Sequence, residues 1–401
     1  MIKSLYVDNF KSLQDFEIEF TSRLTVFIGT NSVGKSTVLQ AVDLLSYFGI
    51  GKLEDYLYKH NWKAAELKSK LYHASKRNMN FSVRFALEDQ NLQWDFTLVA
   101  KKNELTCIRE KITVGHERTI LLARDSKSLG WFDFSKSKFD TFPEMQLNGS
   151  MLSLIDPSQE DYTYRFPQLS MLKEYISSIK SFELLSPDFM RKTSRYDSND
   201  LGIGGERLGS FLHNLSQENK DKINSKLKDY YPYLEKVFTQ KKQYGHVHLG
   251  LSEKFFGSDP YPVNSNYVSD GLLRIMAIVS LGALGENHRV LLLDEIEDGI
   301  NPNLAAELVN YLSEIGQSMQ KQIFVTTHSP VILNYFNRDN IVYLWRTSKG
   351  RVHAQKMFES PELARQLDYM NPGEIWLNFE QAEIEEALMK TLVHSGEKDA
   401  N

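Results

Sequence analysis

Residues 29–36 have the residue types and the spacing of a loop that binds phosphate. An apolar strand-like run precedes them and a helix-like run follows. Two glycines permit positive φ angles, so that backbone N–H groups can surround a phosphate at the start of the helix. Lys35 adds a positive charge for the β- and γ-phosphates, and the hydroxyl of Ser36 suits Mg²⁺. The alternative is a glycine turn that binds nothing. The predicted nucleotide contacts are Gly29, Asn31, Ser32, Val33, Gly34, Lys35, Ser36 and Thr37.

An apolar run at residues 290–293 ends in two adjacent carboxylates, Asp294 and Glu295. A continuous run of this kind predicts a buried parallel strand. We predict that Asp294 holds Mg²⁺ through its water shell and that Glu295 polarises an attacking water molecule. The alternative is an exposed acidic pair at the end of a strand.

Two further segments carry polar groups that suit a nucleotide. Residues 321–327 predict another buried strand, and His328 at its end would lie at the sheet edge where doubly wound folds bind ligands. Its imidazole is predicted to contact the γ-phosphate or the attacking water, unless it is a structural histidine. Ser269 is predicted to cap a helix whose first turn contains Gly271, which makes a second anion-binding element. Taken alone, that segment is an ordinary capped helix.

The pattern of the rest of the chain predicts an α/β protein with a discontinuous core. Residues 1–50 and 240–370 are expected to form this core, and residues 51–239 an inserted lobe. Within the lobe, residues 51–77 read as helical and basic, residues 79–122 as antiparallel strands and residues 125–167 as an irregular insertion. Residues 204–237 read as helical. Residues 371–401 form a tail that either docks a partner or packs Trp376 onto the core.

Composition limits the classes of protein. The chain has 401 residues, 41% of them hydrophobic, with a formal net charge of −5 and a single cysteine, Cys107. No disulfide can form within the chain, and a single cysteine is consistent with a protein of a reducing compartment. The N-terminus lacks a signal-peptide pattern, and the apolar run at residues 272–284 is too short to span a bilayer. A cytoplasmic protein without membrane contact is expected. The basic face of residues 59–77 is either solvated or a nucleic-acid patch.

In this order the motifs closely resemble those of ABC-type ATPases of the RecF, OLD and SMC-like branch, which are often called AAA-family ATPases. The resemblance covers most of the chain, although Ser32 stands where related loops often carry glycine. It implies an ATPase head with a P-loop parallel sheet, an antiparallel β subdomain and a helical lobe. The matching segments are Asn9-Phe10-Lys11-Ser12, Walker A at 29–36, the ABC signature at 269–271, Walker B at 291–295, the D-loop at 297–302 and the switch histidine at 327–330.

The resemblance also implies how such a chain works. Two chains would enclose two ATP molecules, with Mg²⁺ held by Ser36 and Asp294. Ser269 and Gly271 of one copy would complete the γ-phosphate site of the other. Glu295 and His328 would be the catalytic residues. A homodimer is therefore expected, with a higher ring as an extension. The Q-loop glutamine is expected after residues 182–185.

Several branches of the family fit the sequence poorly. No Asp-x-Asp pair occurs and few residues follow His328, which argues against the nuclease domain of OLD proteins. The strand-rich block argues against a transporter motor, and no sustained heptad run predicts coiled-coil arms. Two hypotheses remain. The first is an ATP-gated sensor and scaffold that controls a separate effector, such as a nuclease, in an anti-phage defence system similar to PARIS or Septu. The alternative is a RecF-like DNA-binding ATPase of repair or recombination.

Overall fold

A computed structural model describes residues 1–71, 78–101, 104–143, 147, 149–182, 186–194 and 199–394. The strands are β1 (Ile2–Asp8), β2 (Phe16–Glu19), β3 (Leu24–Gly29), β4 (Asn78–Leu87), β5 (Gln90–Lys101), β6 (Glu104–Val114), β7 (Thr119–Arg124), β8 (Ser128–Asp133), β9 (Lys138–Pro143), β10 (Ile179–Ser181), β11 (Leu234–Lys241), β12 (Val247–Glu253), β13 (Tyr261–Asn264), β14 (Val290–Leu293), β15 (Gln322–Thr326), β16 (Ile341–Arg346) and β17 (Val352–Lys356). The helices are α1 (Lys35–Gly49), α2 (Leu53–Lys59), α3 (Glu160–Arg165), α4 (Pro167–Ser177), α5 (Pro187–Met190), α6 (Leu208–Asn214), α7 (Gln217–Tyr230), α8 (Asp270–Ser280), α9 (Ala305–Ser318), α10 (Pro330–Leu333), α11 (Pro361–Gln366), α12 (Pro372–Asn378) and α13 (Gln381–His394).

The chain divides into two compact units, each built from separate segments. The first unit contains Met1–Lys180, Arg338–Asp368 and Phe379–Asn401, and the second contains Ser181–Asn337 and Tyr369–Asn378. The P-loop therefore belongs to the first unit, whereas the acidic strand, His328 and the signature segment belong to the second. The predicted division into a core, an inserted lobe and a tail stays a prediction.

An antiparallel sheet with the strand order β2-β1-β4-β5-β6-β7-β8-β9 dominates the first unit. Alternating residues of its strands are buried, which places one face of the sheet against α1. Phe48 of α1 stacks on Trp94 of β5, with ring centroids 5.2 Å apart, and also contacts Phe96. The antiparallel strands predicted for residues 79–122 are confirmed, because the alternation of apolar residues there matches this half-buried sheet.

Residues 51–77 and 125–167 differ from their sequence-based description. Strands β8 and β9 lie inside the segment predicted to be an irregular insertion, and they extend the antiparallel sheet. Gly130 leaves room there for the ring of Phe139, which a side chain on that strand would overlap. In the other segment, α2 ends at Lys59 and a 3₁₀ turn follows at Ala64–Leu67, rather than one long helix. The basic residues Lys76 and Arg77 lie outside the described residues.

Parallel pairing in the first unit positions the P-loop. Strand β3 is buried along its whole length and pairs in parallel with β16, so that Gly29 lies opposite Leu344. Strand β17 pairs with β16 in the antiparallel direction. Helix α1 begins directly after the loop, as its spacing of apolar residues predicts.

Parallel pairing also positions the acidic residues of the second unit. Strands β14 and β15 run in parallel, with Leu293 opposite Val325, so the residues that follow each strand come side by side. Strands β11, β12 and β13 form a small antiparallel sheet. The helical prediction for residues 204–237 is correct for α6 and α7, but β11 begins at Leu234. Among the residues that the structure describes, every helix is too short or too polar to cross a membrane.

Candidate functional site

The backbone of the P-loop takes the left-handed conformations that a phosphate-binding turn needs. The φ angles are 139° at Gly29, 62° at Ser32 and 123° at Gly34. A side chain at Gly29 would overlap the backbone carbonyl of Leu344 on β16, so only glycine fits at the end of β3. Ser32 adopts its left-handed conformation despite having a Cβ atom, a strain of roughly 1–2 kcal/mol. The loop therefore keeps its turn although glycine is missing at this position.

Lys35, the first residue of α1, is buried beneath the loop. Its ammonium group donates hydrogen bonds to the carbonyls of Gly29 (2.9 Å) and Thr30 (3.1 Å). The positive charge is thus held within the curve of the loop, at the N-terminal end of α1 where the helix dipole also favours an anion. Ser36 and Thr37 are half-buried in the first turn of the helix.

Residues of the Asn9-Phe10-Lys11-Ser12 segment contact α1 close to the P-loop. The hydroxyl of Ser12 lies 3.3 Å from that of Thr37. The ammonium of Lys11 donates to the side chain of Gln40 at 2.9 Å and lies over the ring of Trp62. Lys11 therefore has protein partners on α1 and on the segment after α2.

The end of β14 brings Asp294 and Glu295 next to a threonine of the neighbouring strand. The hydroxyl of Thr326 donates to a carboxylate oxygen of Asp294, and the same hydroxyl accepts a hydrogen bond from the backbone N–H of Glu295 at 2.9 Å. Glu295 has a φ of 48°, so the chain turns sharply after Asp294. This turn separates the directions of the two adjacent carboxylates.

His328 follows β15 and meets Glu295 within the second unit. Its Nε2 lies 3.7 Å from Oε1 of Glu295, and both side chains are partly exposed. The backbone N–H of His328 donates to the carboxylate of Glu297, which fixes the position of the residue. The structure thus brings together Asp294, Glu295 and His328, as the parallel strands predict.

The signature segment caps α8 and contacts the D-loop. The hydroxyl of Ser269 accepts a hydrogen bond from the N–H of Leu272 at 3.4 Å, which confirms Ser269 as the N-cap. Gly271 packs so closely on the carbonyl of Gly299 that a side chain would overlap it. Arg274 and Asp298 form an ion pair of 2.6 Å across the same contact. The helix start and the D-loop therefore form one surface.

A groove of about 440 Å³ runs along this surface. Ser269, Gly271 and Asn301 line one part of it, and Tyr231 and Glu253 line another. Its wall thus combines the N-terminal end of α8, which favours anions, with hydroxyl groups and a carboxylate.

Some supporting residues of this site carry no motif signal of their own. Thr326 holds Asp294 and Glu295 in place, and its only sign in the sequence is a hydroxyl at the end of the strand before His328. Glu297, which holds His328, belongs to the predicted D-loop, but its contact with His328 was not predicted. Arg191 pairs with Asp270 and donates to the carbonyl of Val268 at 2.9 Å, which no spacing in the sequence indicates. The Q-loop glutamine was expected in the loop after a strand at residues 182–185. Residues 183–185 lie outside the described residues, β10 ends at Ser181, and the position of the glutamine stays a prediction.

The residues present fit the nucleotide and the metal ion that the motifs imply. The N–H groups of the P-loop turn and Lys35 match a polyphosphate. The hydroxyl of Ser36 in the first unit and the carboxylate of Asp294 in the second are each an oxygen donor of the kind that Mg²⁺ prefers. Within the described residues no cluster of histidine, cysteine and acidic side chains offers a separate site for a metal ion.

The fold and these groups define the class of protein, a P-loop ATPase with an SMC-head-like α/β fold. The family model described as the AAA ATPase domain matches residues 1–333, and the chain belongs to this family. An SMC head bound to the C-terminal winged-helix domain of ScpA has a TM-score of 0.56 at 12% identity, covering 89% of this chain and 99% of that one. A second SMC head, in a complex with the C-terminal domain of ScpA derived from Pyrococcus furiosus, has a TM-score of 0.50 at 11% identity, covering 92% and 99%.

Curated relatives fall in the same branch. The DNA replication and repair protein RecF of Leptospira biflexa is 32% identical over 65 residues, which are 16% of this chain and 18% of RecF. The DNA double-strand break repair Rad50 ATPase of Archaeoglobus fulgidus is 28% identical over 134 residues, 33% of this chain and 12% of Rad50. An ATP/GTP phosphatase of Helicobacter pylori is 20% identical over 394 residues, 89% of this chain and 92% of that protein. The matched part of this chain thus spans less than a fifth of RecF and of Rad50. The family model thus makes the chain an ATPase-domain protein, and these relatives and the fold make it similar to ATPases of the RecF, Rad50 and SMC type.

Proposed function

We propose that this chain hydrolyses ATP bound between two copies of itself, and that closure of the pair controls a separate effector in an anti-phage defence system. The observation that carries the hydrolysis is the pair of Glu295 and His328, 3.7 Å apart at the ends of adjacent strands. Glu295 accepts the proton of the attacking water, and His328 contacts the water or the γ-phosphate. Mg²⁺ would neutralise charge on the phosphates when bound, with the hydroxyl of Ser36 as a ligand and Asp294 holding the ion through its water shell.

The second copy supplies the signature surface. Ser269 and Gly271 present the N-terminal end of α8, where backbone N–H groups and the helix dipole favour a γ-phosphate. Because Gly271 packs on Gly299, the D-loop is in direct contact with this anion site. ATP would then bind the closed pair more tightly than ADP does, which makes hydrolysis a switch.

The effector is proposed to be a nuclease encoded beside this chain. The series of motifs, which resembles that of the PARIS and Septu ATPase subunits, supports this part of the proposal. Co-expression with the product of the adjacent gene tests it. A complex that forms with ATP and Glu295→Gln, and dissociates in ADP, is expected. An adjacent gene product that binds neither nucleotide state would contradict the scaffold role.

Glu295→Gln tests the hydrolysis itself. Loss of the general base is expected to lower kcat by on the order of 100-fold or more, while ATP still binds. The matched control is Glu314→Gln, an exposed glutamate on α9, which should keep wild-type turnover. Steady-state phosphate release and ATP binding are the measurements. Wild-type hydrolysis by Glu295→Gln would refute the catalytic assignment.

DNA binding is the second candidate function. RecF and Rad50 are named for DNA repair, which supports a DNA-gripping role for this chain. Exposed Lys63 and Lys70 belong to the basic segment of the sequence, whereas Lys59 is buried in an ion pair with Asp43 at 2.7 Å. Reversing the charges of Lys63 and Lys70 should then weaken DNA binding and flatten its salt dependence.

The control for DNA binding reverses two other exposed lysines, Lys222 and Lys228 on α7. This change alters the net charge by the same amount at a different surface. Equal weakening by both pairs would indicate nonspecific attraction. No measurable affinity for duplex DNA at low salt would remove this candidate.

A further inference from the structure

Helix α12 packs tightly on the segment that follows His328. Gly373, in the first turn of α12, lies so close to Pro330 that a Cβ atom there would overlap its backbone carbonyl oxygen. The N–H of Gly373 also donates to the side-chain oxygen of Asn334 at 2.7 Å. Gly373 is buried, and so is Ile375 on the same helix. The two segments are therefore joined by close packing and by a hydrogen bond.

Pro330 is two residues from His328, and the segment between them is short and ordered. Helix α10 begins at Pro330, and Ser329 caps it through a hydrogen bond from the N–H of Ile332 at 3.4 Å. Asn334 ends the same helix. Because α10 has a single turn, a displacement of the Pro330 carbonyl moves the helix start and the histidine before it.

His328 is also held by residues that follow strand β14. Its N–H donates to Glu297, and its ring lies 3.7 Å from Glu295. Two contacts thus fix the histidine: the hydrogen bond of its N–H to Glu297, and the packing of α10, which follows it, against α12. Neither Gly373 nor Asn334 belongs to a nucleotide-binding motif of the sequence.

We propose that α12 is a positioning element for His328, acting through the contact of Gly373 with Pro330 and the hydrogen bond to Asn334. The inference rests on the proposed role of His328 in hydrolysis. Gly373 and Asn334 join α12 to the segment that follows His328, and they act by fixing the place of the imidazole relative to Glu295. Catalysis is sensitive to such placement, since a shift of about 1 Å can lower a rate by about 100-fold.

The cap of α12 supports its role as a fixed element. The side chain of Glu374 accepts a hydrogen bond from the N–H of Asn371 at 2.7 Å and another from its side chain at 3.1 Å. Pro372 follows at the first helical position, where its missing N–H does no harm. A helix started in this way presents Gly373 to Pro330 in a defined position.

The test measures ATP turnover by the full chain with two variants of the contact. Gly373→Ala pushes on the Pro330 carbonyl and is expected to lower kcat by about 10- to 100-fold, with the KM for ATP within about twofold of wild type. Asn334→Ala removes the hydrogen bond without adding volume and should lower kcat in the same direction. Asn334→Asp keeps an acceptor oxygen and should restore most of the turnover.

Gly285→Ala is the matched control, because a Cβ atom at this exposed glycine meets no other atom within 4 Å. It should keep wild-type kcat. Thermal unfolding of every variant checks that it folds, and if Gly373→Ala does not fold, Asn334→Ala decides. Wild-type kcat for the folded variants of Gly373 and Asn334 would overturn the proposal.

A double-mutant cycle with His328→Ala separates positioning from a general structural effect. If Gly373 and Asn334 act through the imidazole, their substitutions lower kcat no further once it is absent. Equal losses in both backgrounds would overturn the positioning role and leave the proposed function intact. Wild-type turnover by His328→Ala alone would instead contradict the proposed role of His328, and the positioning role with it.

Discussion

Glu295 adopts a backbone conformation that few residues with a side chain adopt. Its φ of 48° lies in the left-handed region, which destabilises a residue other than glycine by roughly 1–2 kcal/mol. The hydrogen bond from its N–H to Thr326 offsets part of this strain. Backbone strain of this kind is typical of residues whose conformation serves a function, which agrees with the catalytic role proposed for Glu295. Here the turn directs the carboxylate of Glu295 to His328, while Asp294 stays with Thr326.

Thr326→Val therefore tests the support of both carboxylates. The change keeps the shape of the side chain but removes the hydroxyl that bonds Asp294 and the N–H of Glu295. We expect kcat to fall by about tenfold, which corresponds to one lost hydrogen bond to a charged group. Thr326→Ser keeps the hydroxyl and should stay near wild type. Equal activity of the valine and serine variants, measured as phosphate release, would contradict this role.

At the residue scale, the sequence predicts the chemically active side chains better than the residues that hold them in place through hydrogen bonds. The adjacent carboxylates, the histidine and the glycines are recognisable because their chemistry needs particular residue types at a fixed spacing. Thr326 lies on the neighbouring strand β15 and Glu297 in the turn after β14, and their partners depend on a register that the sequence does not encode locally. The distance between Glu295 and His328 likewise follows only from the parallel pairing of β14 with β15.

At the element scale, a buried polar cluster fastens β6 of the antiparallel sheet. The carboxylate of Glu110 accepts hydrogen bonds from the indole of Trp94 (2.9 Å), the N–H of Met151 (2.9 Å) and the hydroxyl of Ser150. Burial raises the pKa of Glu110 above its usual value, although these hydrogen bonds and Arg124 act in the opposite direction. The side chain is 2% exposed, so its charged form lacks water as a partner.

Glu110 should make the stability of the fold depend on pH. A raised pKa in the folded state stabilises the protein fully below the usual pKa of 4.5, and this contribution is lost as the pH rises through the folded pKa. Glu110→Gln has no group that can ionise at this position. As the pH rises from 4.5 through the folded pKa of Glu110, the free energy of unfolding of the wild type should therefore fall relative to that of the variant. Urea unfolding at several pH values measures the difference.

The control for this effect is Glu117→Gln, an exposed glutamate in the turn after β6. Its free energy of unfolding should follow the wild type across the same pH range. Parallel curves for the wild type and Glu110→Gln would show that the buried carboxyl does not titrate with folding.

Elements in which apolar residues recur at a regular spacing were predictable from the sequence. Strands that form only because a neighbouring strand pairs with them were not. The apolar alternation of residues 79–122 indicates the antiparallel sheet, whereas β8 and β9 contain glycine, serine and aspartate and lack that period. They form strands because β7 offers an edge to pair with, and because Phe139 fills the space above Gly130. Tertiary pairing of this kind overrides weak local preference.

At the scale of the whole molecule, the groups proposed for hydrolysis are spread over the chain. The P-loop belongs to the first unit, and Glu295, His328 and Ser269 belong to the second. Sequence order therefore says little about which P-loop meets which signature surface. The motif series favours a site shared between two copies, in which the signature surface of one chain faces the P-loop of the other.

Mixing two inactive variants tests this arrangement. Lys35→Ala removes the charge of the P-loop, and Ser269→Arg places a bulky cation on the exposed start of α8. Each variant alone is expected to lose most of its turnover, since every site in either homodimer then contains one damaged half. A mixed dimer contains one site with both halves damaged and one with both halves intact. Mixing in equal amounts should therefore restore about a quarter of wild-type activity, because half the dimers are mixed and each has one working site.

The same experiment distinguishes a site within one chain from a shared site. If the P-loop and Ser269 of the same chain formed the site, every site in the mixture would carry one defect, and activity would stay at the level of the separate variants. The matched control mixes Lys35→Ala with Lys35→Arg, which damages the same half in both copies and should restore nothing. Restoration by the first pair, and none by the second, requires two chains at each ATP.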